Sequence, residues 1–365
     1  MNEDSGPVGV AVVGCGTIST HYAKGILARA DELQIVGAYD RELERSKDFV
    51  GRFGGRTFET MDDLLASPEV EVLVNLTVPA AHAEVTRVGL EGGKHVYSEK
   101  PLATTRDDAS EIVRIAGERN LLFGCAPCTM LGEAQQTLWK AIRDGTIGEI
   151  FEITARMTFG RPERVQPSPE RYYSPGGGPM LDVGCYAMSV LTSIMGPVRA
   201  VRGMSQIRIP QRTMETGPDK GKDFTVTAPD HVLGLLRFSG GVLGKFSVSF
   251  IVDDSPDREI LVYGTRGVLR LAPLNSFSGQ VSVLSTGQRE WRAVERVAEP
   301  SSEGLDYSRG LADVAAAIRT GGALHCTAEQ AYHNLDVCLG ILESAEMGRE
   351  VCIESTFEGP EPIYT

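Results

Sequence analysis

A run of apolar residues, Val8, Val10, Ala11, Val12 and Val13, ends abruptly in Gly14-Cys15-Gly16-Thr17-Ile18-Ser19. A continuous apolar run of this length reads as a parallel strand buried on both faces. Glycines directly after it let backbone N–H groups approach a pyrophosphate at the N-terminus of the next helix. The turn is therefore a candidate dinucleotide site, with Gly14, Gly16, Thr17 and Ile18 as its contacts. Ser19 stands where the G-x-G-x-x-G pattern has glycine or alanine for close helix packing, so the fingerprint is incomplete.

The continuation supplies the rest of a βαβ unit. A helical stretch from about Thr20 to Ala30 is followed by Leu33, Ile35, Val36 and Ala38, and this second strand ends in Tyr39-Asp40-Arg41. An acid at the tip of the second strand accepts hydrogen bonds from the adenosine ribose and repels a 2'-phosphate, which favours NAD over NADP. Arg41 keeps NADP open, since a guanidinium there stacks on adenine or pairs with a phosphate.

Composition removes several classes. A net charge of -13 opposes approach to a phosphate backbone, so nucleic acid is not an expected partner. No apolar run approaches the roughly 18 residues of a membrane span, and the first seven residues carry acid where a secretory signal carries base. A cytoplasmic protein of two domains is expected from 365 residues. Seven scattered cysteines do not form a disulfide framework. Cys125 and Cys128 have the spacing of a zinc half-site without a second half, and His21, His231, His325 and His333 show no ligand spacing, so no metal is expected.

Strand and helix patterns continue to alternate: a charged helix at 41–50, a short one at 61–66 behind Thr60, and a β-branched strand at 70–76. Further strands at 95–98 and 121–125 flank a helix at 105–119. This alternation predicts a parallel sheet, an N-terminal Rossmann domain over 1–126. Beyond it, over 127–365, a helix at 132–144 precedes mostly alternating β segments with glycine turns at 239–241 and 264–267, which predict an α/β domain on a mostly antiparallel open sheet. A Pro/Gly/Tyr-rich loop at 161–179 leads into a helix expected at 180–195, a charged loop at 211–229 reads as mobile, and helices are expected at 305–320 and 327–347.

Four ordered motifs now stand out: the glycine turn; Asn75-Leu76-Thr77-Val78-Pro79 with His82; Glu99-Lys100-Pro101; and Gly176-Gly177-Gly178-Pro179-Met180-Leu181-Asp182-Val183-Gly184-Cys185-Tyr186. Together they resemble the glucose-fructose oxidoreductase and inositol dehydrogenase superfamily, Gfo/Idh/MocA, over essentially the whole chain. The resemblance implies that Lys100 lies beside the nicotinamide and the substrate hydroxyl, and that Thr77, Pro79, His82 and Glu99 lie near the cofactor. Many members have histidine where Tyr186 stands, so this chain is similar to the tyrosine group that includes dimeric dihydrodiol dehydrogenase. A phenol, with an ordinary pKa of about 10, acts as a base only when a cation such as Lys100 stabilises the phenolate. Asp182 then orients the sugar or the lysine.

Asp182 and Tyr186 are four apart and share a face if 180–195 is one helix. Tyr173 and Arg156 flank the glycine loop and suit contact with a polyol substrate. The expected activity is an NAD(P)-dependent interconversion of a secondary hydroxyl of a sugar or polyol with its ketone, in a homodimer or homotetramer formed through the C-terminal sheet. Two rivals differ in kind: a closed redox cycle on tightly held NAD, and a non-enzymatic sensor of the nicotinamide or a sugar.

Overall fold

A computed structural model describes residues 6–253, 255 and 258–364. The chain falls into two compact units, 1–128 with 306–332 and 129–305 with 333–365. The sequence division at 126/127 lies close to the first crossing, but the segment 306–332 groups with the first unit, which a single linear cut does not carry.

The first unit is built in chain order from β1 (Val8–Val13), α1 (Thr17–Leu27), β2 (Leu33–Tyr39), α2 (Leu43–Phe53), β3 (Arg56–Thr57), α3 (Met61–Ala66), β4 (Val72–Asn75), α4 (His82–Glu91), β5 (His95–Ser98), α5 (Arg106–Glu118) and β6 (Phe123–Cys125). All neighbouring strands are parallel, in the order β3-β2-β1-β4-β5-β6. Every residue of β1 and β4 is buried, as continuous apolar strands covered on both faces require. The chain leaves β1 toward β2 and returns to β4 on its other side, so the switch point of the sheet lies outside the C-terminal ends of β1 and β4. Thr60 and Thr105 accept the Asp63 and Asp108 amides and fix the starts of α3 and α5. Helix Arg309–Thr320 places Leu311, Ala312, Val314 and Ala315 in the same core as β1 and β4.

The second unit contains α6 (Glu133–Arg143), β7 (Ile150–Thr158), α7 (Gly178–Asp182), α8 (Gly184–Met195), β8 (Val198–Gln206), β9 (Gln211–Thr213), β10 (Asp223–Thr225), β11 (His231–Phe238), β12 (Leu243–Ser249), β13 (Arg258–Gly264), β14 (Gly267–Ala272), β15 (Gln280–Ser285), β16 (Arg292–Ala293) and β17 (Val351–Cys352). Nine strands form one mixed sheet, β16-β15-β14-β13-β7-β12-β11-β8-β17, in which β7 and β12 run parallel and the other neighbours antiparallel. Alternation along β11 buries Val232, Gly234, Leu236 and Phe238 and leaves Leu233 and Leu235 outside. A helix over Ala328–Met347 lies directly on the buried face: a Cβ on Gly203 would collide with the Ile341 carbonyl.

Two sequence expectations change here. The helix expected over 180–195 is two helices, because Val183 (φ -114, ψ -22) caps the end of α7 and the start of α8. The loop expected to be mobile at 211–229 carries the β9–β10 hairpin, held by the buried Arg212, Met214 and Phe224.

His333 gives the unit an acid-sensitive joint. Its Nε2 accepts the Val198 amide at 2.9 Å, so Nδ1 carries the proton and faces the Ser355 carbonyl and hydroxyl. The ring is fully buried, and burial pushes its pKa down from 6.5 to about 4. The unfolded chain therefore takes up this proton near pH 6.5, while the folded chain resists it until about pH 4. Its contribution is complete above pH 6.5 and is lost as pH falls, by up to about 3 kcal/mol. Chemical denaturation of wild type and His333→Gln across this window should show a shallower acid loss in the variant; equal slopes would contradict the assignment.

Candidate active site

In the first unit the C-terminal strand ends converge through backbone constraints. Gly14 has φ +93, and a Cβ there would lie 2.8 Å from Leu76 C and Thr77 N, so only glycine lets the turn after β1 pass this close to the turn after β4. Gly16 is exposed and caps α1 without a side-chain hydrogen bond; a Cβ there would meet open space. Thr17 is likewise exposed, and Ile18 packs partly into the core. An eleven-residue helix thus presents its first amides beside an unobstructed glycine, an arrangement that fits a dinucleotide pyrophosphate. Ser19 replaces the third glycine without disturbing this: it is 2% exposed, and its hydroxyl donates to the Gly16 carbonyl at 2.7 Å.

Asp40, at the end of β2, is more than a surface turn acid. Its Oδ2 accepts the Cys15 amide at 2.8 Å and its Oδ1 the Glu42 amide at 2.9 Å, so the carboxylate ties the glycine turn to the tip of the second strand. Each oxygen keeps a further lone-pair direction for a ribose hydroxyl. Arg41 beside it is exposed.

Asn75, which the sequence reading quoted only as part of a motif, is a hub. Fully buried, it donates from Nδ2 to the His82 carbonyl and the Thr86 hydroxyl, and its Oδ1 accepts the Thr77 hydroxyl at 2.7 Å. His82, expected near the cofactor, has its ring turned into the interior of the unit. It is 1% exposed, and its ring nitrogens face protein carbonyls, Nδ1 2.6 Å from Pro101 O and Nε2 3.1 Å from Thr77 O; burial favours the neutral ring, which donates to one of them. Its ring pins the turn after β4 to the residue following Lys100. Pro79 is exposed and Thr77 half-buried on that turn.

Glu99 is buried, and its carboxylate faces inward. Oε1 accepts the Tyr22 hydroxyl at 2.8 Å and Oε2 accepts the Lys100 amide at 3.0 Å. Tyr22 belongs to α1, so one carboxylate links the pyrophosphate helix to the backbone that carries Lys100, itself half-buried. Burial and the neighbouring Glu99 charge push the Tyr22 pKa well up, keeping it a donor. Glu99 thus acts as a brace between α1 and the backbone at Lys100. Tyr22→Phe should cost about 1–3 kcal/mol, read by denaturation, because a buried carboxylate loses a donor. Wild-type stability in that variant would show the bond to be idle.

In the second unit Asp182 closes α7 and Tyr186 lies in the first turn of α8; both are half-buried. The break at Val183 means that they follow each other across a joint and not along one helix. Glycine is required before them: Gly178 has φ +85 with Pro229 O 3.0 Å from its absent Cβ, and a Cβ on Gly177 would collide with the Arg171 carbonyl.

Two expected substrate contacts are displaced. Tyr173 has no exposed surface: its hydroxyl bonds Glu163 and its ring lies beneath Arg212, 4.6 Å from the guanidinium carbon. Arg156 is exposed on β7, pairs with Glu259 at 3.8 Å, and alternates with Ala155 and Met157, which face the helix-covered side that includes α7 and α8. It therefore lies on the opposite face from Asp182 and Tyr186. Tyr173 lies in a loop without periodicity, whereas the alternation of Arg156 with Ala155 and Met157 along β7 was a signal that could have placed it outside.

Residues 8–126 match an oxidoreductase family with an NAD-binding Rossmann fold, and residues 135–270 match the Gfo/Idh/MocA C-terminal domain. The chain belongs to the Gfo/Idh/MocA oxidoreductases. It is 27% identical over 296 residues to a dTDP-3,4-didehydro-2,6-dideoxy-alpha-D-glucose 3-reductase of Saccharopolyspora spinosa, spanning 80% of this chain and 79% of that one. It is 27% identical over 262 residues to a trans-1,2-dihydrobenzene-1,2-diol dehydrogenase of Bos taurus, spanning 71% and 72%. Among solved structures, a levoglucosan dehydrogenase in complex with NADH and levoglucosan shares the fold, with a TM-score of 0.82 at 19% identity over 96% of this chain and all of that one. This chain is an NAD-binding oxidoreductase of that family.

Proposed function

We propose that the chain interconverts a secondary hydroxyl of a sugar, sugar derivative or polyol with its ketone, using NAD(H) as hydride partner. The observation that carries this reading is the linked set of strand-end turns in the first unit. The glycine turn, Asp40, Thr77 and Lys100 hang from adjacent parallel strands and are braced by Asn75 and Glu99. Gly14, Gly16, Thr17 and Ile18 would hold the pyrophosphate, Asp40 the adenosine ribose, and Thr77 and Pro79 would border the nicotinamide. Asp40 repels a 2'-phosphate, which favours NAD(H) over NADP(H). NAD held there would supply the hydride acceptor.

The chain's own groups handle position and protons. Lys100 is assigned to hold the substrate hydroxyl, Tyr186 to take the hydroxyl proton as the carbonyl forms, and Asp182 to orient the sugar. The relatives named above act on sugar or diol substrates, which supports a polyol as the substrate class. The uncovered face of the nine-stranded sheet carries Met204, Leu233, Leu235 and Leu243, each at least 44% exposed, and we assign it to self-association.

Oxidation of a panel of monosaccharides, glycosides and cyclic diols with NAD and with NADP tests the reading. Net NADH formation with at least one member, and preference for NAD, is the expected result. Failure of every polyol and every corresponding ketone to change the cofactor absorbance would overturn it.

A further inference from the structure

The fully buried ion network of the second unit has no role in the chemistry above. Glu163 and Arg212 have 2% exposed side chains and Asp230 none. Arg212 Nη1 donates to Glu163 Oε1 at 2.8 Å and Nη2 to Asp230 Oδ2 at 2.9 Å, while Glu163 Oε2 accepts the Tyr173 hydroxyl. Asp230 also accepts the Arg208 amide at 2.7 Å and the Ile209 amide at 3.1 Å. A buried guanidinium held between two carboxylates is a geometric fastener: its fork fixes both partners at once, and losing one arm leaves an uncompensated charge away from water.

What the network joins is specific. Glu163 and Tyr173 belong to the loop between β7 and α7, whereas Arg212 and Asp230 belong to the β9 hairpin and the start of β11. The same loop is held nearby by the Tyr173 carbonyl, which accepts the Thr227 and Ala228 amides at 2.8 and 2.9 Å, and by Arg161, which donates from its backbone and Nε to Asp253 at 2.9 and 2.8 Å. Gly178 then meets the Pro229 carbonyl, four residues before Asp182.

We infer that Glu163, Arg212, Asp230 and Tyr173 form a latch that sets the loop 161–178 against the sheet, so that Arg212 is a positioning residue for Asp182 and for sugar affinity. This rests on the assignment of Asp182 to the substrate site. The ring of Tyr173 packs on Phe224 and Phe250 at 5.5 and 5.9 Å, so Tyr173→Phe removes one bond of the latch and keeps the packing.

The test uses the full-length protein carrying Tyr173→Phe, Glu163→Gln or Arg212→Lys, with hydrogen exchange and steady-state kinetics side by side. Exchange of amides in 161–178 should speed up at least about tenfold in Tyr173→Phe and Glu163→Gln. KM for an accepted polyol should rise by about tenfold with kcat changed less than about threefold, and NADH affinity should be unchanged. Arg212→Lys, which keeps charge but loses the fork that holds both carboxylates, should loosen the loop at least as much as Glu163→Gln. Wild-type exchange across 161–178 would overturn the latch, and a loss confined to kcat or to NADH affinity would overturn its link to the sugar. Exchange is read without substrate: faster exchange in a protein that turns over no polyol would uphold the latch and count against the assigned reaction.

Discussion

Lys100→Met should lower turnover of an accepted polyol by about 10²–10⁴-fold, the range expected when the charged group that holds the reacting hydroxyl and supports its deprotonation is removed. Methionine keeps the length of the side chain and removes its charge and donors. The backbone that carries residue 100 is fixed by Glu99 through the amide at position 100, which the substitution keeps, and Glu99 is fixed by Tyr22. NADH affinity should therefore stay within about threefold of wild type, so that the loss falls on the chemical step and not on cofactor binding. Fluorescence titration with NADH beside initial-rate measurements separates the two. Wild-type turnover would remove Lys100 from the chemistry, and an affinity loss as large as the rate loss would recast it as a cofactor anchor.

The two glycines of the first turn should fail in different ways. Gly14→Ala asks an L residue to adopt φ +93 with its Cβ 2.8 Å from the backbone at Leu76 and Thr77. The strain should cost roughly 1–3 kcal/mol of stability, with dinucleotide affinity lost alongside it as the turn moves. Gly16→Ala is different, since its φ of -81 suits any residue and no atom lies within 4 Å of the new methyl. Stability should stay within about 0.5 kcal/mol of wild type while NADH affinity drops about tenfold or more, because the methyl occupies the space a pyrophosphate approaches. Thermal melts with and without NADH measure both. A Gly16→Ala protein that binds NADH like wild type would move the pyrophosphate away from this turn.

The first unit was largely legible because continuous apolar strands and strand-end motifs are local in sequence. Val8 to Val13 and Val70 to Leu76 announce themselves by composition, and the polar residues after them must lie at the carboxyl edge of a parallel sheet. What lay hidden was which polar groups face inward. Nothing near His82 or Glu99 in sequence states that the Pro101 carbonyl or the Tyr22 hydroxyl will meet them, because those partners arrive from other elements. Tyr173 misled for a similar reason. An aromatic in a Pro/Gly-rich loop reads as a surface contact, yet Arg212, 39 positions away, and Phe250 enclose it. The break at Val183 escaped the periodicity because the apolar residues of 180–195 fit one helix as well as two; the backbone of Val183, at φ -114 and ψ -22, separates them.

Transfer of a labelled hydride tests the central claim most directly. A polyol accepted in the panel, carrying deuterium at its carbinol carbon, would be incubated with the protein and NAD, and the nicotinamide analysed by mass spectrometry. One deuterium in the reduced cofactor from wild type, with none above background from Lys100→Met in the same interval, is the result expected. Product formed without label in the nicotinamide, or label transferred equally well by Lys100→Met, would contradict the account.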